Sequence, residues 1–249
     1  LSEKQEMLTL INKEIRSFLG SLIGYIVIVV FLTTIGLMMW IFPGGANVLD
    51  SGYANIDSLF YVAPWVFMFL IPAITMRLFA EESRTGTIEL LLTKPLTDFQ
   101  IVFAKYIAGF TLVLFSLLPT LVYFYSVYQL GNPIGNIDFG GTVGSYFGLL
   151  FLGSVFVSIG VFASSITKNQ IISFIVAVFL CFFCYVGFES ISSLEYFGDV
   201  DDLIMKLGIN EHDVSMSRGV IDTRDVTYFL SVIFLFLIFT KTALSSRKW

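Results

Sequence analysis

Charge, histidine and cysteine are all scarce in this chain, and each scarcity removes a class of chemistry. Only 13% of its 249 residues are charged, against 56% hydrophobic and 27 phenylalanines, so no folded aqueous domain of ordinary size fits. The single histidine, His212, stands between Glu211 and Asp213 with no second histidine or cysteine nearby, which is weak as a metal site. A surface histidine is the expectation. Cys181 and Cys184 form a Cys-Phe-Phe-Cys run in an apolar stretch, the reverse of the polar helix N-terminus that lowers a redox thiol's pKa. They read as packing residues. No Gly-x-x-x-x-Gly-Lys-Ser/Thr phosphate loop occurs, and Gly140-Gly141 lacks the following lysine, so this chain is no ATPase. His-Glu-x-x-His, paired midspan carboxylates and a Ser/His arrangement are missing too, and no catalytic role is expected.

What is present in abundance is long apolar runs. A bilayer core of roughly 30 Å takes about 20 apolar residues of helix, and six stretches qualify: 20–42, 59–79, 101–125, 143–166, 171–188 and 226–244. The first follows a patterned segment, is too long for a signal-peptide core, and ends in Phe42-Pro43-Gly44-Gly45, a poor cleavage site. The expected fold is all-α, a polytopic membrane protein in one domain over residues 1–249. Leu1 is not an initiator, so the chain is expected to be processed, trimmed or numbered from an unusual start, with Met7 a candidate beginning.

The basic residues set the topology. Eleven of the 14 lysines and arginines fall in the N-terminal segment (Lys4, Lys13, Arg16), the second-to-third connection (Arg77, Arg84, Lys94, Lys105), the fourth-to-fifth turn (Lys168) and the tail (Lys241, Arg247, Lys248). The loops Pro43 to Ser58 and Ser126 to Thr142 carry only Asp50, Asp57 and Asp138. By the positive-inside rule both termini are cytoplasmic. The one long outer segment, 189–225, holds nine acidic residues beside Lys206, Arg218 and Arg224. It reads as a solvated loop, with the apolar pieces Ile191 to Phe197 and Leu203 to Leu207 folding back on the membrane face. A role in binding cations or a basic partner is the alternative.

Ahead of the first span, Leu8, Ile11, Ile15, Phe18 and Leu19 recur at spacings of three and four, which describes an amphipathic interfacial helix over residues 7–19. A loose basic anchor is the other reading. Between the second and third spans, Gly86 can interrupt the descending helix and Thr87 can cap a short new one, whose Ile88, Leu91 and Leu92 share a face. Pro95 then ends it, and Thr97 with Gln100 forms a capping box for the next span. Such a rigid helix needs a partner or the membrane for its apolar face.

The run Glu81-Glu82, then Gly86-Thr87-Ile88-Glu89-Leu90-Leu91, then Pro95, then Lys105-Tyr106, resembles the signature of ABC type-2 exporter permeases. The six-span layout, cytoplasmic termini, amphipathic first helix and long final outer loop share the resemblance. Over Leu8 to Phe31 and Trp65 to Lys105 the chain most resembles the gliding-motility-associated permeases of Bacteroidetes. The resemblance implies a multi-pass subunit of the bacterial inner membrane that moves substrate by rearranging its helices. A separate cytoplasmic ABC ATPase would bind ATP and Mg and drive it, so this chain would need no cofactor of its own. A second permease subunit is implied, a different chain by preference or an identical one, with membrane lipid around the pair and no nucleic acid. The short helix resembles a coupling helix, which assigns the ATPase contact to Gly86, Thr87, Ile88, Glu89, Leu91, Leu92 and Pro95, with Glu81 and Glu82 on the turns before it.

Two alternatives remain at this level. An ATP-independent channel or secondary carrier would show charges at midspan or matching broken helices, whereas Arg77, Lys105, Glu189 and Lys241 stand at span edges and can reach an interface. A noncatalytic anchor for a larger complex needs no site at all. Small residues of the fourth span (Gly148, Gly153, Ser154, Ser158, Gly160, Ala163, Ser164) favour close helix packing. No polar cluster names a substrate.

Overall fold

The computed structural model describes residues 3–93, 95–194, 196, 198–217 and 222–246, without the side chains of Glu3, Lys4, Leu92 and Asp199. Lys94, Phe197, Arg218, Arg247 and Lys248, used above, lie outside the described residues. Among the described residues six helices are long and apolar enough to cross a membrane: Leu22–Trp40, Asp57–Thr85, Asp98–Leu130, Phe139–Ile166, Gln170–Ser192 and Thr223–Ser245. Among the described residues the secondary structure is entirely helical, and the protein is an all-α polytopic membrane protein.

Several helices outrun their apolar stretches because hydropathy marks the membrane, whereas capping marks the helix. The second continues past Phe79 to Thr85, and the third runs through a tight turn at Leu118–Thr120, where Pro119 takes an N-terminal position, on to Leu130. Polar caps set the starts. Ser21, Asp138, Asn169 and Asp222 each accept from a backbone N–H two or three residues on. The Thr97–Gln100 capping box is present in both directions, at 3.3 and 2.9 Å.

The fourth span is the axis of the bundle. It packs against the second, third, fifth and sixth spans and the outer helix Ile209–Ser217, and it is the most buried of the six. Its small residues make that closeness possible: a Cβ on Gly153 would come within 2.7 Å of Val113, and one on Gly160 would run into Thr75. The first, fifth and sixth spans leave Leu22, Val29, Ile171, Phe179 and Phe234 exposed on the outer surface, as a lipid-facing wall requires.

The second span breaks at Met76, above the internal Pro72, and resumes as Arg77–Thr85. Ser164 of the fourth span is the splint: its Oγ accepts from Phe79 N at 2.9 Å and Ala80 N at 3.0 Å, and donates to Met76 O at 2.9 Å. One buried hydroxyl thereby holds the direction in which the helix leaves the bundle.

The outer segment is not the solvated loop its charge suggests. Ile209–Ser217 packs on the fourth span through Ile209 and Met216 and buries Asp213, while Leu194, Leu203 and Leu207 are exposed. His212 is likewise no surface histidine. Its ring stacks on Tyr228 at 3.9 Å, Nδ1 lies 2.7 Å from Asp225 Oδ1, and Nε2 lies 3.0 Å from Lys206 O. Charged residues can fold inward here in part because Asp225 of the last span meets both His212 and Ser215, the latter donating to its Oδ2 at 2.7 Å.

Candidate functional site

At the end of the bundle that gathers the basic residues, Gly86 ends the second helix and begins the next, Thr87–Leu92. Its φ of 76° is a left-handed conformation that glycine adopts without cost, so the chain reverses sharply between two rigid pieces. Thr87 is not the cap that its position suggested. It is the first helical residue, and its hydroxyl pairs with the Thr85 hydroxyl at 2.9 Å. Thr93 closes the helix through Glu89 O at 3.2 Å, ahead of Pro95.

The two faces of this helix differ. Leu91 is buried and Ile88 packs against the core, so these two pin the helix to the bundle. Gly86, Thr87, Glu89 and Leu90 face outward, and Leu90 is 69% exposed. Leu90 was not among the residues singled out from the sequence, although it stands one residue, about 100° of helix, from Leu91 and hence on another face. The side chain of Leu92 lies outside the described residues. Pro95 is exposed, as is Glu81.

Glu82 turns inward to an ion cluster. Lys105, on the third span, is wholly shielded from solvent. Its Nζ lies 2.9 Å from Glu82 Oε2 and 3.2 Å from Glu14 Oε1, and donates to Leu78 O at 2.8 Å. Lys13 closes the cluster at 3.2 Å from Glu14 and 3.5 Å from Glu82. Lys105 Nζ also sits 5.0 Å from the centre of the Phe79 ring. The expectation that Lys105 reaches an interface is thus overturned, because two carboxylates and a carbonyl meet it inside the protein. Burial pushes the Glu14 carboxyl up, but Lys105 and Lys13 together outweigh it and hold the group below its usual range.

The N-terminal helix Glu3–Leu19 supplies half of this cluster. Its deeply buried stripe is Leu10, Glu14 and Phe18, packed on the third span, whereas Leu8 is 55% exposed. The signal was legible: a glutamate four residues from each of two buried apolar residues needs a cation. Arg77 lies against the same helix, its guanidinium 4.8 Å above the Phe18 ring, and donates from Nη2 to Ser21 Oγ, the cap of the first span, at 2.8 Å. Three separate segments are therefore locked together directly behind Gly86.

These features define a helical membrane protein that offers one short, braced helix at the end of its bundle. A family model described as ABC-2 family transporter protein matches residues 8–196, and the chain belongs to that family. It is accordingly a permease subunit of an ABC transporter. Comparison with curated proteins finds no match.

Proposed function

We propose that this permease is the membrane half of an exporter driven by a separate ATPase chain, which docks on the Thr87–Leu92 helix and holds the ATP and Mg. The observation that carries the reading is the division of that helix. Ile88 and Leu91 bind it to the bundle, while Thr87, Glu89 and Leu90 offer an acidic and apolar surface to a partner. Closure of an ATPase dimer would press on this lever, and the Lys105 cluster would pass the push to the N-terminal helix and to the second and third spans as one body. Substrate would then move by alternation of helix arrangements. The end that carries Lys13, Arg77, Arg84 and Lys168 is the cytoplasmic one in this reading, with both termini there, in a bacterial inner membrane.

The resemblance to gliding-motility permeases supports the finer proposal of a complex with a second, different membrane subunit. A homodimer is the family's other arrangement. The test is affinity purification of the chain from native membranes in mild detergent, with identification of bound proteins and an ATPase assay. Recovery of a phosphate-loop ATPase, lost when residues 86–92 are scrambled, is expected. Purification of both forms alone from well-preserved membranes would overturn the reading.

A further inference from the structure

At the other end of the bundle a cavity of about 580 Å³ opens between the starts of the second and fourth spans, the fifth span and the outer helix Ile209–Ser217. That is the size of a small-molecule site. Four carboxylates line it, those of Asp57, Asp138, Glu189 and Asp213, and among the described residues no lysine or arginine does. Two of the four are already engaged. Asn210 Nδ2 donates to Glu189 Oε2 at 2.8 Å, and Gly141 N to Asp138 Oδ1 at 3.0 Å.

Asp213 is different. It is only 7% exposed, its Oδ2 receives a single long hydrogen bond of 3.4 Å from the Tyr185 hydroxyl, and its Oδ1 accepts none from the described residues. An ionised carboxylate has room for about four such bonds, so Asp213, which lines the cavity, keeps accepting capacity that its single long bond leaves unused. Tyr185 belongs to a π-helical turn, Phe183–Gly187, that interrupts the fifth span and sets its hydroxyl toward Asp213. Turns of this kind recur at functional sites.

The neighbouring wall is aromatic. Trp65 meets Tyr185 edge-on, ring centroids 6.1 Å apart at 83°, and Phe60 and Tyr61 line the same cavity. A bare metal ion would use oxygen ligands and nothing of this wall, whereas an ammonium group with an apolar body uses both. We infer that this cavity binds an organic ammonium ion, its charge beside Asp213 and its apolar part against Trp65, Tyr61 and Phe60. The inference stands on the cavity alone and needs neither nucleotide nor ATPase.

The experiment titrates the full chain in lipid nanodiscs with phenyltrimethylammonium, by calorimetry, at a pH well above 7 so that Asp213 is ionised. Saturable binding is expected. Asp213→Asn and, separately, Trp65→Leu should each raise the dissociation constant about tenfold or more, while Asp202→Asn, exposed and paired with Lys206 on the outer segment, leaves it unchanged. Trp65→Leu keeps the test decisive if Asp213→Asn fails to fold. The inference is overturned by absence of saturable binding at millimolar ligand, by affinity in the Trp65 and Asp213 variants equal to that of the unsubstituted chain, or by displacement at equal concentrations of sodium, which would mark a site for a simple ion. Because no partner takes part, each of these outcomes leaves the ATPase-docking reading to its own test.

Discussion

Lys105 and Glu82 lie 2.9 Å apart, with the lysine side chain wholly removed from solvent. They join the third span to the last turns before Gly86, and Glu14 brings the N-terminal helix to the same point. A lysine so enclosed is tolerable only because its charge is matched on two sides. Lys105→Met should leave two carboxylates stranded and cost about 3–5 kcal/mol. Adding Glu14→Gln and Glu82→Gln should return much of that loss. Thermal unfolding of the purified chain in detergent measures both, and an unchanged midpoint in the single variant would remove the cluster from any structural role.

Ser164 sets the direction of the second helix beyond Met76 by satisfying two backbone N–H groups of another span. Ser164→Ala leaves those donors buried without that acceptor, and about 1–3 kcal/mol of stability should go with it. Amide hydrogen exchange at Phe79 and Ala80 should accelerate relative to the rest of the span.

Neighbouring leucines on the short helix should behave oppositely. Leu91→Ala opens a void at a buried position and should cost about 2–3 kcal/mol. Leu90→Asp should leave stability unchanged while abolishing capture of the ATPase, since Leu90 faces outward. Glu89→Lys should uncouple transport with insertion intact. ATP-dependent transport at the normal rate in that variant would refute the docking surface.

Asp213 gives the protein a specific pH response. Burial raises its carboxyl from 3.8 to about 7, against the opposing donation from Tyr185. Tyr185 and Glu189 face it from the fifth span, with Asp57 and Asp138 across the cavity, while the adjacent His212 is engaged by Asp225. The folded state holds this proton more tightly than the unfolded state, so stability from this group is complete below about pH 4, declines as pH rises, and is lost above about 7. The span of that loss is at most about 4 kcal/mol. Asp213→Asn should flatten the unfolding midpoint over that window, and an unaltered pH profile would show that another group is responsible.

How much could be read in advance differs from element to element. The six spans, the helix break at Gly86 and the Thr97–Gln100 box were legible because each rests on neighbours in sequence: apolar length, a residue free to take positive φ, and a cap three residues from its partner. The face of the short helix was half legible. Periodicity grouped Ile88 with Leu91, but only the position of the bundle shows that Leu91 points into it and Leu90 away.

Composition and local pattern by themselves determined that this chain is a helical membrane protein, since a backbone in lipid must satisfy its own hydrogen bonds and needs a fixed length of apolar helix to do so. Only the tertiary structure decided what happens to its few charges. Lys105, Glu14 and Glu82 lie far apart along the chain, and Asp213 read as one more acid in a solvated loop, until packing of the N-terminal helix and of Ile209–Ser217 against the spans enclosed them. Burial and partnership depend on distances between segments, and those are set by the way helices pack rather than by any one stretch of residues.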